Sequence, residues 1–252
     1  MSNHHNQDWD VYFCYLEDMP AFISVDLGGA AVAPVEDKPY MIEVAVALQS
    51  PDADGFPESE EWEVLEAVED VLVKSFEERL EALFVGKVLN NGKRSFYFYS
   101  GETLLVDQML EELRQQFPSY AIAHQVTEDP TWSIYFDYLY PDEESLLRIQ
   151  NNRVLQQLEE QGDQSYIPRK VNYWLYFADA TDREAAAKAV LAHGFELEDK
   201  TSAKPPFGLL LAKVSKADEE TIYAETELLR QIALQYDGDF DGWETQVILE
   251  ND

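Results

Sequence analysis

The sequence predicts an α+β chain of two domains. The second is expected to be ferredoxin-like, a split β-α-β unit whose antiparallel sheet carries its helices on one face. Three observations point there. From residue 171 the apolar pattern changes between period two and period 3.6 in the order β-α-β-β-α-β, the order of that unit. The first half also mixes strand-like and helix-like runs, with more strands. Between them Tyr140-Pro141 interrupts the pattern, so the domains are placed at residues 1–140 and 141–252.

In the first domain, WDVYFCYLED and AFISVDLGG read as strands joined across Met19-Pro20. MIEVAVALQS is a third, with Ile42, Val44, Val46 and Leu48 alternating onto one face. SPDADGFP is a turn cluster. The long helix SEEWEVLEAVEDVLVKSFEERLEALF follows, with Leu65, Val68, Leu72, Phe76 and Leu83 near helical spacing and acids mostly between them. FVGKVL and RSFYFYS flank Asn91-Gly92, a strong hairpin signal. TLLVDQMLEELRQQF is an amphipathic helix through Leu105, Met109, Leu113 and Phe117. YAIAHQV and TWSIYFDYL are expected to close the domain as strands.

In the second domain Pro141 opens a helix whose apolar face carries Leu147, Val154 and Leu158. After the loop GDQSYIPRK, VNYWLYF is a strand with Val171, Tyr173, Leu175 and Phe177 on one face. Thr181 and Glu184 read as a capping box for a helix that Gly194 ends. FELEDK is a short strand and KPPFGLLLAKV a longer one. Ser215 and Asp218 suggest the next cap, before a helix burying Ile222, Leu229, Ile232 and Tyr236. WETQVIL is the last strand, with Trp243, Thr245, Val247 and Leu249 on one side.

Apolar residues are 46 % and aromatics 13 % of the chain, enough to bury a core. No apolar run reaches the roughly 20 residues needed to cross a bilayer. The opening MSNHHNQDWD has no basic region followed by an apolar stretch, and Cys14 is the single cysteine, so a cytoplasmic location is expected. Charge is the outlier: 50 Asp and Glu face 18 Lys and Arg, for a net charge of −32. That field repels phosphate backbones and anionic lipid, so direct nucleic-acid or membrane binding is not expected. It attracts basic protein, although the same acidity also serves solubility alone.

The motifs that carry chemistry are few. YDGDFDGWETQV sets Asp237, Asp239 and Asp241 at alternate positions before Gly242, as the first half of an EF-hand loop would. The twelfth position is Ile248, which cannot ligate calcium, and a strand pattern follows where an EF-hand continues as a helix. A helix-to-strand turn is the simpler reading, with Gly238 and Gly242 supplying unusual dihedrals and Trp243 entering the core. Asp52, Asp54 and Glu58 read as turn residues, and Glu69-Asp70 as solvated helix carboxylates. Cys14, among Tyr12, Phe13 and Tyr15, reads as a small buried hydrophobe. His124 and His193 stand alone, and His4 and His5 lie in the N-terminal tail. There is no His-x-x-x-His or Cys-x-x-Cys spacing, no phosphate loop and no nucleophile elbow. No catalytic residue, metal or cofactor is assigned.

Two resemblances follow from these residues. NRVLQQLEEQGDQSYIPRKVNYWLYF, AAAKAVLAHGFEL and above all FDGWET make residues 142–250 similar to the regulator of ribonuclease E activity B family. Phe240, Asp241, Gly242 and Trp243 match that family's acidic turn before the last strand, and Glu244 stands where the family usually has glycine. ALQSPDADGFPESEEWEVLEAVEDVL and VGKVLNNGKRSFYFYS make residues 8–139 resemble the domain-of-unknown-function-695 (DUF 695) family. The first resemblance implies a non-catalytic protein that binds the endoribonuclease and restrains RNA cleavage. The expected function is therefore an acidic, protein-binding regulator that is not an enzyme. Its expected partner is a basic segment of ribonuclease E or a similar RNA-processing enzyme. Asp237, Asp239, Asp241 and Glu244 would attract that segment, with Trp243 anchoring them. Two alternatives stand beside it: a carboxylate- or divalent-metal-dependent hydrolase in the first domain, marked by a concave site at Asp52, Asp54 and Glu58, and a structural or sensor module.

Overall fold

The computed structural model describes residues 6–198 and 203–250. His4, His5 and the end of FELEDK lie outside the described residues. The chain divides into two compact units, 1–142 and 143–252.

The first unit is a six-stranded antiparallel sheet: β1 (Trp9–Leu16), β2 (Met19–Asp26), β3 (Tyr40–Ala47), β4 (Leu83–Asn90), β5 (Lys93–Ser100) and β6 (Ile122–Glu128), in the spatial order β1-β2-β4-β5-β3-β6. Helices α1 (Trp62–Leu80) and α2 (Val106–Gln116) cover one face. Alternation decides what each face holds. Ile42, Val44 and Val46 of β3, with Phe96 and Phe98 of β5, meet Leu65, Val68, Leu72, Phe76, Met109 and Leu113 from the helices. Tyr97 and Tyr99 point the other way and pack with Trp132, Tyr135 and Leu139. The Asn91-Gly92 turn has φ of 47° and 74°, as a tight hairpin demands.

Two expectations for this unit fail for local reasons. TWSIYFDYL is not a strand but a helical turn ending in a π-turn at Tyr135–Leu139. The Asp129 carboxylate accepts the Ser133 and Ile134 amides, both at 2.9 Å, and so starts a helix in an aromatic run that mimics period two. Burial pulls this carboxyl up, but the Tyr99 hydroxyl and those two amides hold it below the usual range. Helix α1 stops at Leu80, because Glu81 takes the left-handed conformation at φ 48° and the Ala82 amide returns to the Phe76 carbonyl. Leu83 therefore begins β4, and Leu80 takes the last buried position on the helix that the spacing assigns to Leu83.

The second unit contains α3 (Glu143–Glu160), β7 (Arg169–Phe177), α4 (Ala180–Leu191), β8 (Glu196–Leu197), β9 (Phe207–Ser215), α5 (Glu219–Gln235) and β10 (Gly238–Thr245). The antiparallel sheet runs β10-β7-β9-β8, the ferredoxin-like order. Val171, Tyr173, Leu175 and Phe177 are all buried, against Ala186, Val190, Ile222, Leu229 and Ile232 from α4 and α5 and Leu158 from α3. Lys170, Asn172, Trp174 and Tyr176 alternate onto the opposite, open face, exposed or half-buried.

The caps match expectation at Asp218 and differ at Thr181 and Ser215. Asp179, not Thr181, caps α4, its carboxylate accepting the Thr181 amide. Asp218 caps α5 through the Thr221 amide at 2.9 Å, while the Ser215 hydroxyl turns instead to Glu225 at 2.7 Å. Glu225 is buried on an otherwise acidic helix because the Tyr173 hydroxyl, Ser215 and Lys213 all meet its carboxylate. Burial, reinforced by that carboxylate, pushes the Tyr173 hydroxyl far above its usual pKa.

Candidate partner-binding strand

The motif that opens as a turn in the sequence is a strand. β10 starts at Gly238, five residues before Trp243, and pairs with β7 at the edge of the sheet. Gly238 is a strand residue with no room for a side chain: a Cβ there would come within 2.3 Å of the Phe177 ring. Asp239 lies opposite Tyr176 and Phe240 opposite Leu175. The register then slips by one residue, so that Gly242 faces Trp174, Trp243 faces Tyr173 and Glu244 faces Asn172.

Asp241 is the extra residue of this bulge, and Gly242, at φ 131°, lets the chain turn there. The bulge has one large consequence. With strict alternation after the inward-facing Phe240, Trp243 would point to the open face. The extra residue inverts the parity, so Trp243 enters the core and Glu244 comes out beside Asn172.

Trp243 is 8 % exposed. Its indole N–H donates to Asn151 Oδ1 at 2.8 Å, Asn151 Nδ2 donates to Thr226 Oγ1 at 2.8 Å, and the Thr226 hydroxyl donates to the Ile222 carbonyl at 2.8 Å. This chain of bonds ties the edge strand to α3 and α5. The chain just beyond the strand is held by the GDQSYIPRK loop: Asp163 Oδ1 accepts the Ile248 amide at 2.8 Å, and the Gln164 amide donates to the Ile248 carbonyl at 2.9 Å. The chain leaves the strand after Thr245, so Val247 only packs at the margin of the core and Leu249 is exposed rather than in line with Trp243.

Of the five residues singled out in the sequence, Asp239 and Glu244 share the open face, Asp241 projects from the bulge and Trp243 is the buried anchor. Asp237 sits just past the C-terminus of α5 at φ 49°. That position favours glycine, and a carboxylate there opposes the helix dipole. Asp237→Gly is expected to raise stability by about 0.5–1 kcal/mol in urea unfolding, since it relieves the left-handed strain and removes the adverse charge.

Further residues of this face lie outside the acidic motif. Glu196 and Glu198 of the β8 segment lie on it, by register with Ala212 and Leu210, and Lys170 pairs with Glu198 at 2.8 Å. Trp174 and Tyr176 supply half-buried aromatic surface between the acids. The alternation that places Val171 and Tyr173 in the core is the signal for them. The open face is thus acidic at both margins and aromatic along β7, one of its two central strands.

The other candidates are structural. Asp52 Oδ1 accepts the Asp54 and Phe56 amides at 2.9 and 2.8 Å, closing the 51–57 turn, and Asp54 and Glu58 are exposed. The Glu69 carboxylate is shared by Lys87, at 2.6 Å, and Arg94. His124 Nε2 lies 3.2 Å from Asp107. Cys14 is half-buried against the tyrosine-rich side of the first sheet, and burial, then Asp142, pushes its thiol up. Among the described residues no group of three or more His, Cys, Asp or Glu is placed to hold a metal ion. No helix among them is long and apolar enough to cross a membrane.

Comparison with known proteins adds the family. The model of a family of unknown function, DUF695, matches residues 7–140, and the model described as regulator of ribonuclease activity B matches residues 148–245. No curated protein matches. Solved structures that match include an unknown protein from Galdieria sulphuraria, 11 % identical, with 83 % of this chain and 99 % of that one covered and a TM-score of 0.21. The chain belongs to the DUF695 family through residues 7–140 and carries, at 148–245, a domain of the regulator of ribonuclease activity B family.

Proposed function

We propose that this chain is a non-catalytic regulator of a ribonuclease, with domains at 1–140 and 141–252, which acts by docking a basic segment of that enzyme against β10 and the open face of its sheet. Asp237, Asp239, Asp241 and Glu244 supply the attraction, and Trp243 holds them in place from the core side. One observation carries the reading: an edge strand that is acidic outward is locked inward by a buried tryptophan bonded through to two helices. Carriage of the charges on an anchored strand favours binding, because little backbone freedom is lost on contact. The family match supports a role in ribonuclease regulation in general, and ribonuclease E is the partner to try first. The reading needs no cofactor and places the protein in the cytoplasm beside its partner.

The test is RNA cleavage by a purified ribonuclease E-type endonuclease with and without the chain. Cleavage should slow at about 50 mM salt, and the effect should fade by about 300 mM, where the screening length drops below the spacing of surface charges. Slowing of equal depth at both salt levels, or none at either, rejects the proposal.

A further inference from the structure

The first unit carries a second surface whose composition is unusual for a solvated edge. β1 is the outermost strand of its sheet and has eight residues paired to β2 in unbroken register, from Trp9↔Asp26 to Leu16↔Met19. Edge strands are commonly protected by lysine, proline, a bulge or short length, and β1 has none of these. Its outward side chains are Trp9, Val11, Phe13 and Tyr15, of which the last three are 53 %, 47 % and 68 % exposed. Phe22 on β2, opposite Phe13, is 41 % exposed. The rings of Tyr15, Phe13, Phe22 and Phe56 form a continuous row with centroids 5.3, 5.3 and 5.2 Å apart. Single exposed apolar residues are ordinary; a contiguous row of rings marks a contact site.

The backbone of Phe13 and Tyr15 is turned to the same free edge. The Val11 amide points away from β2 and is met by the carboxylate of its own neighbour, Asp10, at 2.8 Å. In an antiparallel ladder alternate residues face the same way, so Phe13 and Tyr15 also turn their N–H and C=O groups to the free edge. Charge then selects the occupant. Asp8, Glu17 and Asp18 flank the strand, Asp10 lies within it, and no lysine or arginine precedes Lys38 in the chain. A second copy paired antiparallel about Phe13 would set Asp8 of each chain opposite Asp18 of the other, and like charges so placed repel.

We propose that β1 is a docking strand for an extended, basic protein segment. Such a segment adds as a seventh strand through its backbone. Alternate Lys or Arg side chains lie over the Phe13, Tyr15 and Phe22 rings, and others meet the acids at the strand's ends. This surface lies on the domain of unknown function and does not rest on the reading of β10.

The test uses the full chain and a fluorescein-labelled dodecapeptide of alternating arginine and valine, with binding read by anisotropy. The same peptide methylated at alternate amides, which cannot pair as a strand, should bind about tenfold or more weakly. The double variant Phe13→Lys, Tyr15→Lys should lose about tenfold or more, with its melting temperature checked beside it. The methylated peptide keeps the test valid even if that variant folds poorly. Three results overturn the proposal. A glutamate-valine peptide binding equally well would mean unselective apolar contact. Binding that survives both the methylation and the double variant, but is lost in Asp239→Asn, Glu244→Gln, would place the peptide on β10. Sedimentation showing a dimer that the double variant dissolves would make the occupant a second copy.

Discussion

Replacing Asp163 with alanine is expected to remove about 3–5 kcal/mol of unfolding free energy, the largest loss of any single substitution considered. The Asp163 side chain is 2 % exposed and that of Arg169 5 %. They meet in a two-pronged pair at 2.6 and 2.5 Å, and Asp163 also accepts the Ile248 amide. Without the carboxylate, a buried guanidinium remains whose Nε already has no hydrogen-bond partner among the described residues. The cost is that stranded cation, so it should shrink when the cation goes too. Asp163→Leu with Arg169→Met is expected to recover most of the loss, because two desolvated charges are then replaced by packed apolar groups. Urea unfolding of the three proteins reads this directly, with the slope against denaturant checked for constancy. A loss below about 1 kcal/mol for the single variant would mean that the pair is solvated and the loop is not pinned by it. Because the same carboxylate fixes the chain just beyond β10, the single variant should also weaken partner binding.

How much of this could be read beforehand depends on where the information lies. Alternation in VNYWLYF and helical spacing through Ile222, Leu229 and Ile232 are properties of each segment alone, and they give the second unit's element order and one side of its core. The bulge at Asp241 is not such a property. Nothing in DFDGWET says which residue is the extra one, yet that residue decides whether Trp243 or Glu244 faces the core. TWSIYFDYL fails for a related reason: its aromatic residues suit a strand, and a single carboxylate upstream, Asp129, overrides them. Glu225 is indistinguishable by sequence from its solvated neighbours on α5, because its partners Tyr173, Ser215 and Lys213 come from two other strands. The acidic members of the candidate site are legible from composition, since charge needs no fold to be counted. Their aromatic neighbours Trp174 and Tyr176 become part of it only once β7 and β10 are seen side by side.

Neutralising the four carboxylates together, as Asp237→Asn, Asp239→Asn, Asp241→Asn and Glu244→Gln, should weaken binding to a basic ribonuclease segment about 30-fold at low salt. An exposed ion pair contributes about 0.5 kcal/mol, four give about 2 kcal/mol, and each 1.4 kcal/mol is a factor of ten. Two features separate this from general damage. None of the four side chains lies in the core, Asp239 and Asp241 are exposed, and the Asp237 change relieves an adverse helix-end charge, so the variant should unfold at the same or slightly higher urea concentration. Trp243→Phe makes the opposite probe: it keeps every carboxylate but removes the bond to Asn151, leaving that buried amide oxygen unsatisfied. Its binding defect should track the loosening of β10, and salt should change its affinity as steeply as in the native chain. If charge acts at this strand, the four-fold variant flattens the dependence of affinity on salt, while the tryptophan variant lowers affinity at every salt level. Equal slopes for the native chain and the neutralised variant would move the recognition surface away from β10.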